Sequence, residues 1–282
     1  MRTTSAGHHG RGRVVVLGSA SQDLYVEMER HPTTGETVMG GDLVQRFGGK
    51  GGNQAVAAAR AGAETLFVGH LGDDAPGRTY RDRLLGHGVD VTRLVLEPDV
   101  PTGTALIMLN AARDNMIVVA PGANHHVSES DVAALADLGS EDILLMQMEL
   151  PLDVTQTAIL DAAGRGARVI LNLAPYAPLP QDVLDACHLI IVNEKEHEMM
   201  QGDGLNAPDV LVTLGTDGSR WGDIAVPAQR VDVVDTTGAG DAYCGALAAA
   251  LVGGAGRREA MVAATSSSAA TVQHLGAQPD PA

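Results

Sequence analysis

From Val14 onward, short apolar runs alternate with stretches patterned as helices. The runs VVVL at 14–17, TLFVGHLG at 65–72 and DILLMQME at 142–149 are apolar almost throughout. Runs of that length without strict alternation predict strands buried on both faces, as in a parallel sheet. ARVILNLAP (167–175), HLIIVN (188–193) and DVLVTLG (209–215) read the same way, and the alternating RVDVVD (230–235) adds another strand. The first of these strands, in RVVVLGSASQD (13–23), ends at a glycine turn with polar residues beyond it. Between the strands, Ala-rich or 3.6-periodic stretches predict helices at 53–62, 76–88, 128–138, 153–164, 180–186 and 194–200, with another from Asp241. A short hairpin falls at 218–222. Helices alternating with strands predict an α/β fold, a doubly wound and mainly parallel sheet with helices on both faces.

Two stretches break this rhythm. Residues 24–49 alternate irregularly around turn signals, and 102–124 reads as two strands joined by a turn at 111–115. They predict a small β lid, built from about 24–49 and 102–120, beside the main sheet. The expectation is a single domain over 13–282, with residues 1–12 as a flexible arm.

Composition narrows the class of partner. Aromatics are only 2% of the 282 residues, so the core is built from Ala, Val and Leu. A net charge of −16 argues against nucleic acid or an anionic membrane as a bulk partner, though not against a small anionic ligand at a local nest of amides. Cys187 and Cys244 lie in apolar surroundings and form no disulfide framework, which fits a reducing, cytoplasmic setting. The start MRTTSAGHHGRGR lacks the apolar core of a signal peptide, and no run approaches a membrane span.

Two glycine-rich segments carry the candidate chemistry. FGGKGGNQ (47–54) is not a Walker A loop, because Lys50 is followed by glycine. It also lacks the third glycine of the dinucleotide fingerprint, where Gln54 stands. Glycines around Lys50 allow a ligand close to the backbone, where Lys50 and Asn53 offer donors to sugar hydroxyls. Alternatively, Asn53 caps the helix and Lys50 is solvated. In VDTTGAGDAYCGAL (234–247), Gly238, Ala239 and Gly240 form a turn at a helix start, where amides and dipole favour an anion. Asp241 beside such a nest suits a base that takes a proton from an attacking hydroxyl. Its other reading is an ordinary first-turn acid. Asp23, placed beyond the first strand, and Glu149, ending the 142–149 strand, are ligand candidates by position. Asn193 and Glu196 read either as a helix cap or as an amide and carboxylate for metal-bound water.

Taken together, these segments resemble the ribokinase family of carbohydrate kinases, the PfkB group, from Val14 to Pro279. GGKGGNQAVAAARAGA (48–63) and VDTTGAGDAYCGAL carry the resemblance, the second most specifically. LGSASQD (17–23), PTTGETV (32–38), MQME (146–149) and LGAQP (275–279) are similar to its ribose-phosphorylating members.

The resemblance implies phosphorylation of the D-ribose 5-hydroxyl by ATP, with Mg²⁺ and K⁺, and a homodimer through the lid. Alternatives are another sugar or nucleoside as acceptor, or a catalytically weak binding protein. Asp241 matches the base, and Gly238, Ala239 and Gly240 match the anion hole. Ser21, Asp23, Gly49, Lys50, Gly51, Asn53 and Glu149 match sugar-binding positions, although ribose kinases tend to have asparagine in place of Ser21. Asn193 and Glu196 match the Mg²⁺-organising pattern. Thr213, Gly215, Thr216 and Gly218 match a nucleotide loop, and Thr265 an adenine contact. Asp235, Thr237, Thr271, His274, Gly276 and Asp280 match the monovalent-cation positions. The chain departs from the family pattern between Met200 and Thr213, where a helix is usual, in the short hairpin after Gly218, and in lacking the usual closing helix.

Overall fold

A computed structural model describes residues 12–281 except Arg113. The expected loose arm therefore falls outside the described residues, apart from Gly12, which lies against the Glu141 carbonyl.

Among the described residues the main sheet has nine strands, with β1 (Val14–Leu17) third from one edge. On one side of β1 lie β4 (Thr65–Gly72) and β5 (Asp90–Glu97). On the other come β8 (Ile143–Met146), β9 (Arg168–Asn172), β10 (Leu189–Asn193) and β11 (Val210–Thr213), all parallel. An antiparallel hairpin, β12 (Ser219–Trp221) and β13 (Ile224–Val226), finishes that edge.

The VVVL run is apolar throughout because helices cover both faces. Val15 and Leu17 pack with Val132 of α3 (Glu129–Ala133), Ile159 of α4 (Leu152–Gly164) and Leu184 of α5 (Gln181–Ala186). Val14 and Val16 pack with Val56 of α1 (Lys50–Arg60), Leu84 of α2 (Ala75–Gly86), Leu247 of α7 (Ala239–Val252) and Met261 of α8 (Arg257–Thr271). Because β1 has β4 on one side and β8 on the other, the strand order reverses there. A crevice opens past the carboxyl ends of β1 and β8.

A second sheet of four strands, β2 (Ser21–Glu27), β3 (Val44–Gly48), β6 (Gly103–Leu109) and β7 (Asn115–Ala120), stands over that crevice in the order β3-β2-β6-β7. It is the expected lid. Every residue of β7, the edge strand, is exposed.

Three expectations change. Residues 230–235 form no strand. The N–H groups of Val234 and Asp235 both donate to the Val272 carbonyl instead of a ladder, and Val233 is 60% exposed. Asp23 belongs to lid strand β2, opposite Arg46 of β3, rather than to a loop beyond β1. Helix α1 begins at Lys50, three residues before the expected start, so Asn53 does not cap it.

The shortened crossover after Met200 is made by α6 (Glu194–Gly202) and the link 203–209. Asp209 accepts the Trp221 indole N–H (2.6 Å) and an Arg257 guanidinium N–H (2.5 Å), while Arg257 stacks over the indole at 4.6 Å. These three side chains tie α8 to the edge of the sheet.

Candidate active site

Gly238 takes a left-handed backbone, φ 75°, which turns the chain into α7 with little strain for a residue lacking Cβ. Asp241 then sits in the first turn of α7, only 7% exposed. The helices α1 and α7 approach closely at Gly245, where a Cβ would lie 2.3 Å from the Gln54 carbonyl. That approach lets two consecutive residues of α1 reach one carboxylate. Asn53 Nδ2 donates to Asp241 Oδ2 and Gln54 Nε2 to Asp241 Oδ1, both at 2.9 Å. Of the first-turn amides, which a helix leaves without intrahelical acceptors, that of Ala239 turns back to the Thr236 carbonyl (3.2 Å). Those of Gly240 and Asp241 follow it at the positive end of the dipole.

Asp241 opens onto a cavity of about 1020 Å³ between the main sheet and the lid. Ser21, Asp23, Gly49, Lys50, Asn53, Glu149, Asp235, Thr237 and Gly238 line it as well. The expected base and sugar-binding positions thus come together, except that Gly51 is buried in the first turn of α1.

Glu149 accepts the Lys50 backbone N–H (2.9 Å) and the Ser19 hydroxyl, which places an acid at the α1 N-terminus. Burial alone would lower the Lys50 pKa, but Asp241, Glu149 and Glu196 outweigh it and raise it. Lys50 is therefore a cation inside the cavity. For Asp23, burial pushes the carboxyl up to about 6; the Ser21 hydroxyl (3.1 Å) opposes this, and the charges of Glu149 and Asp241 add to it.

A polar chain that sequence reasoning did not single out supports these groups. Gln278 donates to Asn53 Oδ1 (2.8 Å) and to the Tyr80 hydroxyl (2.7 Å), which itself donates to the Gly48 carbonyl (2.7 Å). Gln147 donates to Gln54 Oε1 (2.8 Å). The available signal was a polar residue inside an otherwise apolar helix face or strand: Gln54 before AVAAA, Gln147 in LLMQM.

A model of the pfkB family carbohydrate kinases matches residues 11–282. The chain belongs to that family. It is 34% identical to the ribokinase of Bacillus subtilis over 277 residues, covering 94% of each chain. It is also 34% identical to that of Haemophilus influenzae over 289 residues, covering 95% of this chain and 94% of that protein. The structure of Arabidopsis thaliana ribokinase complexed with ribose and ATP superposes with a TM-score of 0.85 at 32% identity, over 96% of this chain and 97% of that one. The fold class expected from the sequence is that of these carbohydrate kinases, and the chain is a phosphotransferase.

The positions expected to serve the kinase's nucleotide lie outside the cavity wall. Asn193 and Glu196 form a reciprocal cap at the α6 start: Glu196 N–H donates to Asn193 Oδ1 (2.9 Å) and Asn193 N–H to Glu196 Oε2 (2.8 Å). Thr213 is the register partner of Asn193 in the next strand. Gly215, Thr216 and Gly218 follow in a 3-10 turn and its exit. Thr265 is buried on α8, and its hydroxyl donates to the Met261 carbonyl (2.8 Å).

The expected cation positions divide. Asp235 accepts from Thr237 N–H (2.9 Å), the Thr237 hydroxyl (2.7 Å) and Gly276 N–H (2.8 Å). Burial opposes its charge, but these bonds and nearby Arg46 outweigh it, so its pKa is lowered. Thr271 ends α8, and His274 continues into the loop that carries Gly276. Asp280 goes elsewhere: its carboxylate is 95% exposed and pairs with Arg83 at 3.2 Å.

Proposed function

We propose that the chain transfers the terminal phosphoryl group of ATP to the 5-hydroxyl of D-ribose. The observation that carries this reading is the buried Asp241, held by two amides at a helix start in a cavity that also holds Asp23, Lys50 and Glu149. In the reaction, Asp241 takes the hydroxyl proton as that oxygen bonds to phosphorus, and the bond from phosphorus to the ADP oxygen breaks. The amides of Gly238 and Gly240, with the flanking α7 dipole, stabilise the transferring group. Asp23, Asn53, Glu149 and Lys50, with Ser21 and Gly49 beside them, supply acceptors and donors suited to a small polyol.

Mg²⁺ offsets phosphate charge when bound. Glu196 commits one oxygen to its cap, which leaves the other, with Asn193, to hold metal-bound water. K⁺ is assigned to oxygens of Asp235, Thr237, Thr271, His274 and Gly276. Asp235 already joins the two segments that carry them, which fits a weakly charged oxygen cage. Thr213, Gly215, Thr216, Gly218 and Thr265 are assigned to the nucleotide. The apolar edge strand β7, with Met116, Ile117, Val118 and Val119 exposed, suits pairing with a second copy through the lid.

ADP release measured over ribose, deoxyribose, fructose, ribitol and inosine tests the reading. Ribose should give the highest kcat/KM. A preference for inosine would make the chain a nucleoside kinase, and no turnover with any acceptor would make it a binding protein.

A further inference from the structure

Both oxygens of the Asp241 carboxylate are engaged, but by side chains with different opportunities. Asn53 lines the cavity and is within reach of a ligand. Gln54 is fully buried and faces none. Its amide nitrogen is saturated, one N–H on Asp241 Oδ1 (2.9 Å) and the other on Asn172 Oδ1 (3.1 Å). Its oxygen accepts from Gln147 Nε2 (2.8 Å). A flipped Gln54 amide would turn its oxygen toward two acceptors and its N–H groups toward a donor, so chemistry fixes the orientation. Asn172 is anchored in turn, donating to the Ile191 carbonyl (3.3 Å). The carboxylate is thereby referred to β9, to β10 and to the residue that directly follows β8 in the main sheet.

Stability alone does not account for this arrangement. Buried amides cost free energy unless every polar atom is paired, and Gln147 Oε1 has no partner among the described residues. An apolar filling would suit a purely structural position better. What the amide chain supplies is direction.

We propose that Gln54 is a positioning residue for phosphoryl transfer, fixing the plane of the Asp241 carboxylate so that its free lone pair meets the acceptor hydroxyl. The proposal rests on Asp241 acting as the base. Gln147 acts one bond further out, by fixing Gln54.

The test compares Gln54→Met, Gln147→Met, their double variant, Asp241→Asn and Asp241→Asn/Gln54→Met, with ribose and ATP. The readouts are kcat and the ribose Kd from calorimetry. Misplacement of a reacting group by about 1 Å can cost about 10²-fold, so Gln54→Met is expected to lower kcat by about 10- to 100-fold. Its ribose Kd should stay within about twofold, because no sugar contact is lost. Gln147→Met is expected to lower kcat by about 3- to 10-fold, and the double variant to match Gln54→Met alone, as for residues acting in series. Gln54→Met should cost nothing further in the Asp241→Asn background.

A kcat within about threefold of the parent in Gln54→Met, or a kcat loss matched by an equal loss of ribose affinity, overturns the proposal. Should Gln54→Met fail to fold, Gln147→Met decides alone, since it leaves both donors to Asp241 in place; an unchanged kcat overturns the proposal. Full activity in Asp241→Asn removes the base and the proposal together. A normal Gln54→Met beside an inert Asp241→Asn removes the proposal only.

Discussion

Two carboxylates face the same cavity from opposite supports. Asp241 rises from the first turn of a buried helix, and two side-chain amides from a second buried helix grip its oxygens. Asp23 hangs from a lid strand, with the Ser21 hydroxyl as its hydrogen-bond donor and with Glu149 and Asp241 as like-charged neighbours. The first is fixed by the core before any ligand arrives. The second is held in a state that burial disfavours, and a polyol offering hydroxyl donors would relieve it. A proton acceptor gains from being set in advance, whereas a recognition group gains from ligand-dependent relief.

The largest expected effect comes from removing the proposed base. Asp241→Asn keeps the shape and, through its one remaining oxygen, one of the two amide contacts, and cannot accept the proton. It should lower kcat by about 10²–10⁴-fold while calorimetry still detects ribose binding. A drop under about tenfold would mean that the proton goes elsewhere.

Next comes Asp23→Ala. A charge-assisted hydrogen bond to a sugar hydroxyl contributes about 1.5–3 kcal/mol, so the ribose KM should rise about 10- to 150-fold with the ATP KM unchanged. Equal effects on both substrates would make Asp23 a structural residue of the lid and erase the contrast with Asp241.

The raised Asp23 value sharpens the contrast further. In the proposed site ribose hydroxyls donate to the ionised carboxylate, so kcat/KM for ribose should fall about tenfold per pH unit below about pH 6, and Asp23→Asn should lose this limb. Folding responds with the opposite sign. The folded value lies above the unfolded one, so Asp23 contributes stability that is complete below about pH 3.8 and gone above about pH 6. Denaturant melts of the parent and Asp23→Asn across that window measure it.

The smallest effect is expected at Asp280. Replacing K⁺ by Na⁺ should lower activity through the cage around Asp235. Asp280→Ser should change the K⁺ dependence by less than about twofold, because the Asp280 carboxylate is solvent-exposed and pairs with Arg83 instead. A KCl titration at constant ionic strength is the measurement.

Much of this architecture is legible in the chain. Apolar runs mark β1, β4 and β8 to β11 because a strand covered on both faces can carry little else. The GAGD turn reads as an anion nest because only a helix start places free amides there. By contrast, β5 has partly exposed positions that blur its pattern, and α8 carries a TSSS stretch that reads as weakly helical. RVDVVD has a strand's period but joins no sheet edge, and the amides of Val234 and Asp235 go to Val272. Gln54, Gln147 and Gln278 escape a sequence reading because glutamine is ordinarily a surface residue, and a buried relay requires side chains from distant segments.

The sheet-edge cluster also gives the molecule a built-in optical probe. Trp221 is the sole tryptophan, only 2% exposed, and lies between Asp209 and the guanidinium of Arg257. Its strand follows directly on the 213–218 loop, so its emission reports that edge alone. Separation of the edge hairpin from α8 would admit water to the indole and shift emission to the red, while rearrangement of the lid would leave it unchanged. Intrinsic fluorescence can therefore time events at the β11–β12 edge independently of those over the cavity.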